Sequence, residues 1–332
     1  MLKKNIKQFI HDCIFNMYSR LAYRLAKWYP SYRRVEESEH CEMLILTVAF
    51  NNEQLIERQI ELIRDNIKDE NYRYMVADNS TNSQKRKAIK HVCQKYGVFY
   101  IAIPKTICFL TSHQCAISHG AALNWVYYHF LRKMKPKCFA VIDHDIFPVK
   151  PYNLTSALGE KNFYGVLRSS GKEWYIWPGW CIFNFAKFTD KPNFEPIFTK
   201  KNFLDTGGSN YLCHYHKYNV QDIPFPIVKT WRYKKTEGLS RHCDILHSDY
   251  IQIVNESWLH IINGSNYANI PGKEDMIHQI LSNTAHFWDA IHTTDNANES
   301  IKKDDLFAIN NISEKNVKID KKRNEIRSMA LV

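Results

Sequence analysis

The sequence predicts an α/β protein with a mostly parallel central sheet, flanking helices and an N-terminal amphipathic helix. Three observations predict it. Between residues 43 and 142, short apolar runs alternate with segments of helical period, the pattern of a doubly wound sheet. The first run, Met43 to Phe50, is apolar almost throughout, as a strand buried on both faces should be. The runs end in polar clusters, Asn51-Asn52-Glu53, Asp78-Asn79-Ser80 and Asp143-His144-Asp145. Parallel sheets bind ligands at these carboxyl ends.

The elements follow in order. Residues 1 to 28 carry Leu2, Ile6, Phe9, Ile10, Cys13, Ile14, Met17, Leu21, Leu25 and Trp28 at three- and four-residue spacing, with Lys3, Lys4, Lys7, Arg20, Arg24 and Lys27 mostly between them. Such a helix can lie on an anionic membrane surface. It can equally pack one face on the protein's own core with its charges in water. Pro30 ends it, and Arg33 to His40 reads as a linker. Strand 43–50 leads to helix 53–68, strand 72–77, helix 83–96, a short strand near 98–103, helix 114–133 and strand 138–142. Beyond Pro148 the alternation weakens, with strands expected near 163–167 and 181–184. The implied organisation is a helix and linker over 1–40, one catalytic-type domain over 41–293 divided near 150, and a polar tail over 294–332.

Composition narrows the partner. The chain has 332 residues and a formal net charge of +11, which attracts phosphate-bearing molecules. No compact nucleic-acid signature is present, so nucleic acid is not the expected partner. Nine scattered cysteines without a Cys-x-x-Cys argue against a disulfide framework or a structural zinc site and suit a reducing compartment. No run reaches the length of a membrane span, and the first residues lack a signal-peptide pattern. The expected location is the cytoplasm, with peripheral attachment through residues 1–28.

Three constellations carry chemistry. Asp143 and Asp145, one residue apart past an apolar strand, can offer oxygens to magnesium or manganese. A cation there would offset charge on a diphosphate. An ordinary capped loop is the plain alternative. Trp174 to Trp180 is the densest aromatic cluster. Trp177 and Trp180 could stack on sugar faces, and Gly179 could let a ligand approach; a hydrophobic plug is the other reading. Leu204-Asp205-Thr206-Gly207-Gly208 offers a carboxylate that also looks like a helix N-cap.

Taken together, Leu46 to Glu53, Ala77 to Asn82, Ser118 to Asn124 and Val141 to Asp145 resemble, in order and spacing, the nucleotide-binding half of family-2-like GT-A glycosyltransferases. That family has a Rossmann-like sheet and a DxD motif. The resemblance implies a nucleotide-sugar donor and a divalent metal. Thr47, Ala49 and Phe50 would line the base pocket. Asp78 would accept from the base, with Asn79 and Ser80 beside it. His119 and Gly120 would approach the ribose and phosphates. Asp143 would touch ribose or metal, Asp145 would be the main metal ligand, and His260 would complete the metal or diphosphate site. Asp205 would deprotonate the acceptor hydroxyl in an inverting transfer, with Asp222, Asp244 and Asp249 as alternatives. Lys229, Arg232, Lys234 and Lys235 could close over the diphosphate, or form a solvated loop. The acceptor would be a glycan or a lipid-linked molecule, as in bacterial surface polysaccharide or glycolipid synthesis. Ala77-Asp78-Asn79-Ser80 departs from the Asp-Asp pair that many relatives carry. Two other readings stay open: a nucleotidyltransferase, although Phe50-Asn51-Asn52-Glu53 has neither glycine nor lysine, and a non-catalytic binding protein that keeps the fold.

Overall fold

The computed structural model describes residues 2–31, 41–170, 172–188, 192–200, 202–232, 250–264 and 272–282. Helix α1 (Leu2–Trp28) precedes β1 (Met43–Ala49), α2 (Glu53–Asn66), β2 (Tyr72–Asp78), α3 (Ser83–Lys95), β3 (Phe99–Ala102), α4 (Lys105–Thr111) and α5 (Cys115–Val126). A π-helical turn, Tyr127–Leu131, and a short α6 (Arg132–Met134) lead to β4 (Cys138–Ile142). Then come β5 (Ile146–Pro148), α7 (Leu154–Leu158), β6 (Phe163–Ser170), β7 (Glu173–Asn184), β8 (Ile197–Phe198) and β9 (Phe203–Leu204). The last described elements are α8 (Asn210–Cys213), β10 (Val228–Arg232), β11 (Tyr250–Val254), β12 (Trp258–Ile261) and α9 (Lys273–Ser282).

Every residue of β1 is buried, and the strand runs through the middle of a six-stranded sheet ordered β3-β2-β1-β4-β7-β6. β1 pairs in parallel with both β2 and β4, and β2 with β3. β7 returns antiparallel beside β4, and β6 beside β7. The chain winds outward from β1 to β3 and then crosses back to β4, so a topological switch point lies between β1 and β4. The α/β class expected from the sequence is the class observed.

Local chemistry sets the helix starts. The Asn52 side chain accepts from Leu55 N and caps α2; that of Asn82 accepts from Gln84 N and Lys85 N and caps α3. One face of α2 buries Leu55, Ile56, Ile60 and Ile63. Its Ile56, Ile60 and Ile63 cover the sheet face that holds Met43, Ile45 and Ala49. The opposite face, with Leu44, Leu46 and Val48, packs under α5 and α1.

The second half adds a four-stranded antiparallel sheet, β10-β11-β12-β5, which the sequence did not announce. Its strands are only three to five residues long, too short to show a period. Its register sets His260 opposite Ile146, immediately after the Asp143–Asp145 loop.

Helix α1 lies against the domain on one face. Ala22 and Ala26 are buried there, with Phe15, Tyr18 and Leu25 packed on the core. Asn16 Nδ2 donates to Phe198 O at 2.7 Å, Asn16 Oδ1 accepts from Phe198 N at 2.8 Å, and Ser19 Oγ donates to Pro196 O at 2.7 Å. No helix among the described residues is long and apolar enough to cross a membrane. The linker region 33–40 and the tail 294–332 lie outside the described residues.

Candidate active site

The Asp143-His144-Asp145 loop sits at the switch point and is tied down from three sides. Asp143 N donates to Gly179 O at 2.8 Å, and Asp143 O accepts from Gln59 Nε2 at 2.8 Å. Asp145 O accepts from Ile261 N at 2.9 Å. His144 turns back toward β1, where its Nδ1 accepts from Phe50 N at 3.1 Å. Burial pushes His144 down to about 3, so it is a neutral strut between the two central strands.

Asp145 meets His260. Their Oδ1 and Nε2 atoms are 3.8 Å apart, and both side chains are 6% exposed. A Cβ on Gly264 would lie 2.8 Å from Asp145 Cβ, so only glycine lets the chain after β12 close over this carboxylate. Gln252 Nε2 donates to Thr230 Oγ1 at 3.3 Å, which turns Gln252 Oε1 toward His260 Nδ1 at 3.0 Å. His260 Nδ1 is then the donor. Burial, reinforced by Arg168 and Lys273, pushes His260 down to about 3, so the ring is neutral and Nε2 presents a lone pair. A lone pair and a carboxylate oxygen face each other with a gap that suits a cation, and an outer hydrogen bond fixes the tautomer, as in metal-binding histidines. Among the described residues no three His, Cys, Asp or Glu side chains cluster as a complete metal site. Asp145 and His260 could therefore supply part of the ligand set of a divalent cation, the remaining ligands coming from elsewhere.

Asp143 belongs to a neighbouring group of charges. His119 Nε2, on α5, is 3.4 Å from Asp143 Oδ1. Burial pushes the Asp143 carboxyl up to about 7; the Asp205 charge pushes the same way and Arg168 pulls back. Burial pushes His119 down to about 4 against the opposing pull of Asp205. Asp205 also acts on Arg168 and Tyr175. Asp205 is exposed, so its carboxylate opens outward from this group. Its Oδ1 accepts from Thr206 N at 2.7 Å, and Gly208 N donates to Asp205 O at 2.7 Å. This is a tight turn, not a helix N-cap; Ser209 holds the N-cap position of α8.

The aromatic cluster divides. β6 and β7 slip register where Gly165 pairs with Cys181 and Leu167 with Ile176. The extra residues, 177–180, form an irregularity in β7. Trp177 lies across it, 5.1 Å from the His260 ring and 4.9 Å from the Arg168 guanidinium. A Cβ on Gly179 would fall 2.0 Å from the Trp177 ring, so Gly179 serves to seat that indole. Trp180, expected to face an acceptor, is instead fully buried, edge-on to Trp258 at 5.8 Å. The irregularity sends one tryptophan to the site and the other into the core.

Around the first strand, Thr47 and Ala49 are buried within β1, and Phe50 is partly exposed at its end. Asp78 is fully buried, and its oxygens are taken within the fold: Oδ1 by Ser80 N at 2.9 Å, and Oδ2 by Tyr100 OH at 2.9 Å with Arg86 Nε at 3.8 Å. Burial raises its carboxyl despite these bonds. Asn79 Nδ2 donates to Ser118 Oγ at 2.9 Å, and Ser80 Oγ accepts from Asn51 N at 2.8 Å. The first bond ties the loop after β2 to α5, and the second joins it to the loop after β1. A Cβ on Gly120 would meet Phe194 O at 2.7 Å; this glycine lets α5 pass a neighbouring backbone.

Lys229 Nζ, on β10, is 3.9 Å from Glu256 Oε1. Lys234, Lys235, Asp244 and Asp249 lie outside the described residues, as does the side chain of Arg232. Asp222 is exposed in a 3-10 turn, Val220–Asp222. Among the described residues, the cations that act on His260 are Arg168, on β6, and Lys273, buried at the start of α9. Sequence reasoning missed both, along with Tyr175 and Gln252. A lone Arg in a strand carries no signal of its own. A Lys after Pro271-Gly272 looks like ordinary helix-start chemistry.

No protein-family model and no curated protein matches the chain. Solved structures do. A mannosyltransferase, PcManGT from Pyrobaculum calidifontis in complex with GDP-Man and Mn2+, is 13% identical, with a TM-score of 0.32 over 51% of this chain and 52% of that one. A galactosyltransferase, LgtC in complex with donor and acceptor sugar analogs, is 16% identical, with a TM-score of 0.33 over 44% and 59%. Core-mannan synthase A from Aspergillus fumigatus, in an Mn/GDP form, is 8% identical, with a TM-score of 0.31 over 50% and 64%. The chain thus spans less than two thirds of each. Overlap this partial carries no argument about activity, and fold alone does not imply function.

Proposed function

We propose that the chain is a metal-dependent glycosyltransferase that moves a sugar from a nucleotide diphosphate onto a glycan or lipid-linked acceptor. The observation that carries this reading is the meeting of Asp145 and His260 at the sheet's switch point, 3.8 Å apart and beside Asp143. Asp143, Asp145 and His260 would hold a manganese or magnesium ion. When bound, the ion would neutralise charge on the leaving diphosphate.

The chain's own residues would do the rest. Arg168 and Lys273 add positive charge where the diphosphate would lie. Phe50, Asn79, Ser80 and His119 would border the nucleoside, and the buried Asp78 would hold the turn that shapes this border. Thr47, Ala49 and Gly120 would act through packing. Trp177 offers an indole face to a sugar. Asp205, exposed and acting by its charge on Asp143 and Arg168, would take the acceptor proton, so that attack in line inverts the anomeric carbon.

A nucleotidyltransferase fits less well. The loop after β1, Phe50-Asn51-Asn52-Glu53, has neither glycine nor lysine to cradle a phosphate, and one of the first amides of α2, Leu55 N, is taken by the Asn52 side chain at 3.1 Å.

The test is thermal stabilisation by a panel of nucleoside diphosphates and nucleotide sugars, with and without manganese. Ligand at about a hundred times its Kd adds about 2.7 kcal/mol of stability. A shift of several degrees that needs both nucleotide and manganese is expected. A panel without any such shift would remove the donor assignment.

A further inference from the structure

We propose that the outer face of α1, together with α4, docks on an anionic lipid surface. This goes beyond the transfer reading and does not depend on which group the site transfers. Eleven large hydrophobic side chains are exposed among the described residues, and nine of them lie on these two helices: seven on α1 and two, Phe109 and Leu110, on α4. The concentration is not a by-product of helix packing. Ser19, Ala22 and Ala26 mark the buried face of α1, where its backbone and side-chain bonds to the domain are made. Ile10, Ile14, Met17, Leu21 and Trp28 recur at three-, four- and seven-residue steps on the opposite face and are 50–75% exposed. A helix that only covers its own domain needs one apolar stripe; this one has two.

α4 extends the face sideways. Tyr18 OH donates to Leu110 O, the Tyr18 ring stacks on His113 with centroids 6.1 Å apart, and Tyr29 OH bonds Thr106 Oγ1 at 3.0 Å. These contacts hold α4, which carries Phe109 and Leu110, against α1. α4 follows directly from β3, whose carboxyl end is the sheet edge of the candidate site.

Charge selects the occupant. Lys7, Arg20 and Arg24 are exposed on α1. Its single acid, Asp12, is engaged by Gln8 Nε2 at 2.7 Å and His11 Nδ1 at 3.1 Å. A second copy docked face to face would bring these cations against their own kind. An anionic headgroup layer meets them with opposite charge, while the apolar stripe enters the acyl boundary. At about 1.5 Å per residue, the 27-residue helix would lie along the surface, and no described helix can span it.

The experiment is co-sedimentation of the full chain with phosphatidylcholine vesicles and with mixed phosphatidylcholine–phosphatidylglycerol vesicles. Three proteins are compared: wild type, Ile14→Glu/Met17→Glu, and Arg20→Gln/Arg24→Gln. All four positions are exposed, so the melting curves should coincide. Wild type should bind the anionic vesicles at least tenfold more tightly than the neutral ones. The Glu variant should lose anionic binding, and the Gln variant should weaken it about tenfold or more, because each basic side chain near an anionic surface contributes severalfold. Absence of wild-type binding, equal binding to both vesicles, or unchanged binding by the Glu variant overturns the proposal. A wild-type dimer that the Glu variant converts to monomer assigns the face to a second copy and overturns it equally.

Discussion

His260 Nε2 faces Asp145 Oδ1 at 3.8 Å because β12 pairs antiparallel with β5 and sets His260 opposite Ile146. The two residues are 115 positions apart in sequence (260 − 145). Their orientation is enforced from behind: Gln252 accepts from His260 Nδ1, and Thr230 holds Gln252 in the orientation that allows it.

Gln252→Leu should therefore weaken manganese binding about 10–100-fold, the usual cost of losing an outer partner of a ligating histidine. A manganese titration of nucleotide-dependent thermal stabilisation measures it. Unchanged affinity would take His260 out of the ligand set.

Asp205→Asn should cut turnover about a hundredfold to ten-thousandfold, the range for loss of a general base. Donor binding should be retained, since an amide oxygen can still accept from Thr206 N as Asp205 Oδ1 does. Steady-state kinetics and donor titration on the same preparation separate the two effects. Near-normal turnover would move the base to Asp222, Asp244 or Asp249. An anomeric configuration retained in the product, read by NMR, would contradict the single-displacement mechanism.

Asp143 gives a pH dependence with a definite sign. Its carboxyl rises from 3.8 to about 7 on folding, so between those values the folded chain keeps a proton that the unfolded chain has released. The stability linked to that proton is present below the window and is lost as pH rises through it. Asp143→Asn should flatten this fall in melting temperature. Manganese competes with the same proton, so its affinity should weaken on acidification below about pH 7, by up to about tenfold per pH unit. Metal affinity independent of pH between 5 and 7, on the order of the window above, would exclude Asp143 as a ligand.

Much of the first half of the chain was legible because its signals are local. Met43 to Ala49 is buried on both faces and reads as apolar throughout, and Asn52 and Asn82 announce the helices they cap. The second half was not, because its geometry depends on long-range register. Trp177 and Trp180 look equivalent in sequence, and only the irregularity in β7 separates a site residue from a core residue. Asp205 resembles a cap because glycines follow it, yet those glycines close a turn. Arg168 and Gln252 sit on strands whose neighbours are set by folding, and no spacing rule points to them.

Helix α1 offers a stability test. Truncation of residues 1–28 would uncover the side chains that Phe15, Tyr18, Ala22, Leu25 and Ala26 pack against and would strand the Phe198 and Pro196 backbone groups. Full burial of one large apolar side chain contributes about 1.5–3 kcal/mol, and a whole domain has only about 5–15 kcal/mol of net stability. The truncated chain should melt far lower or aggregate. A truncated chain that melts like wild type would show that the helix contributes little to the core.

The most direct test of the central claim is the release of nucleoside diphosphate from nucleotide sugars by the metal-stripped chain, with manganese added back, for wild type and Asp145→Ala. Manganese should restore turnover in the wild type. The variant should fold normally, since the Asp145 carbonyl keeps its bond from Ile261 N, and should stay inactive at any manganese concentration. Full turnover by the stripped wild type, or by Asp145→Ala, would contradict the account.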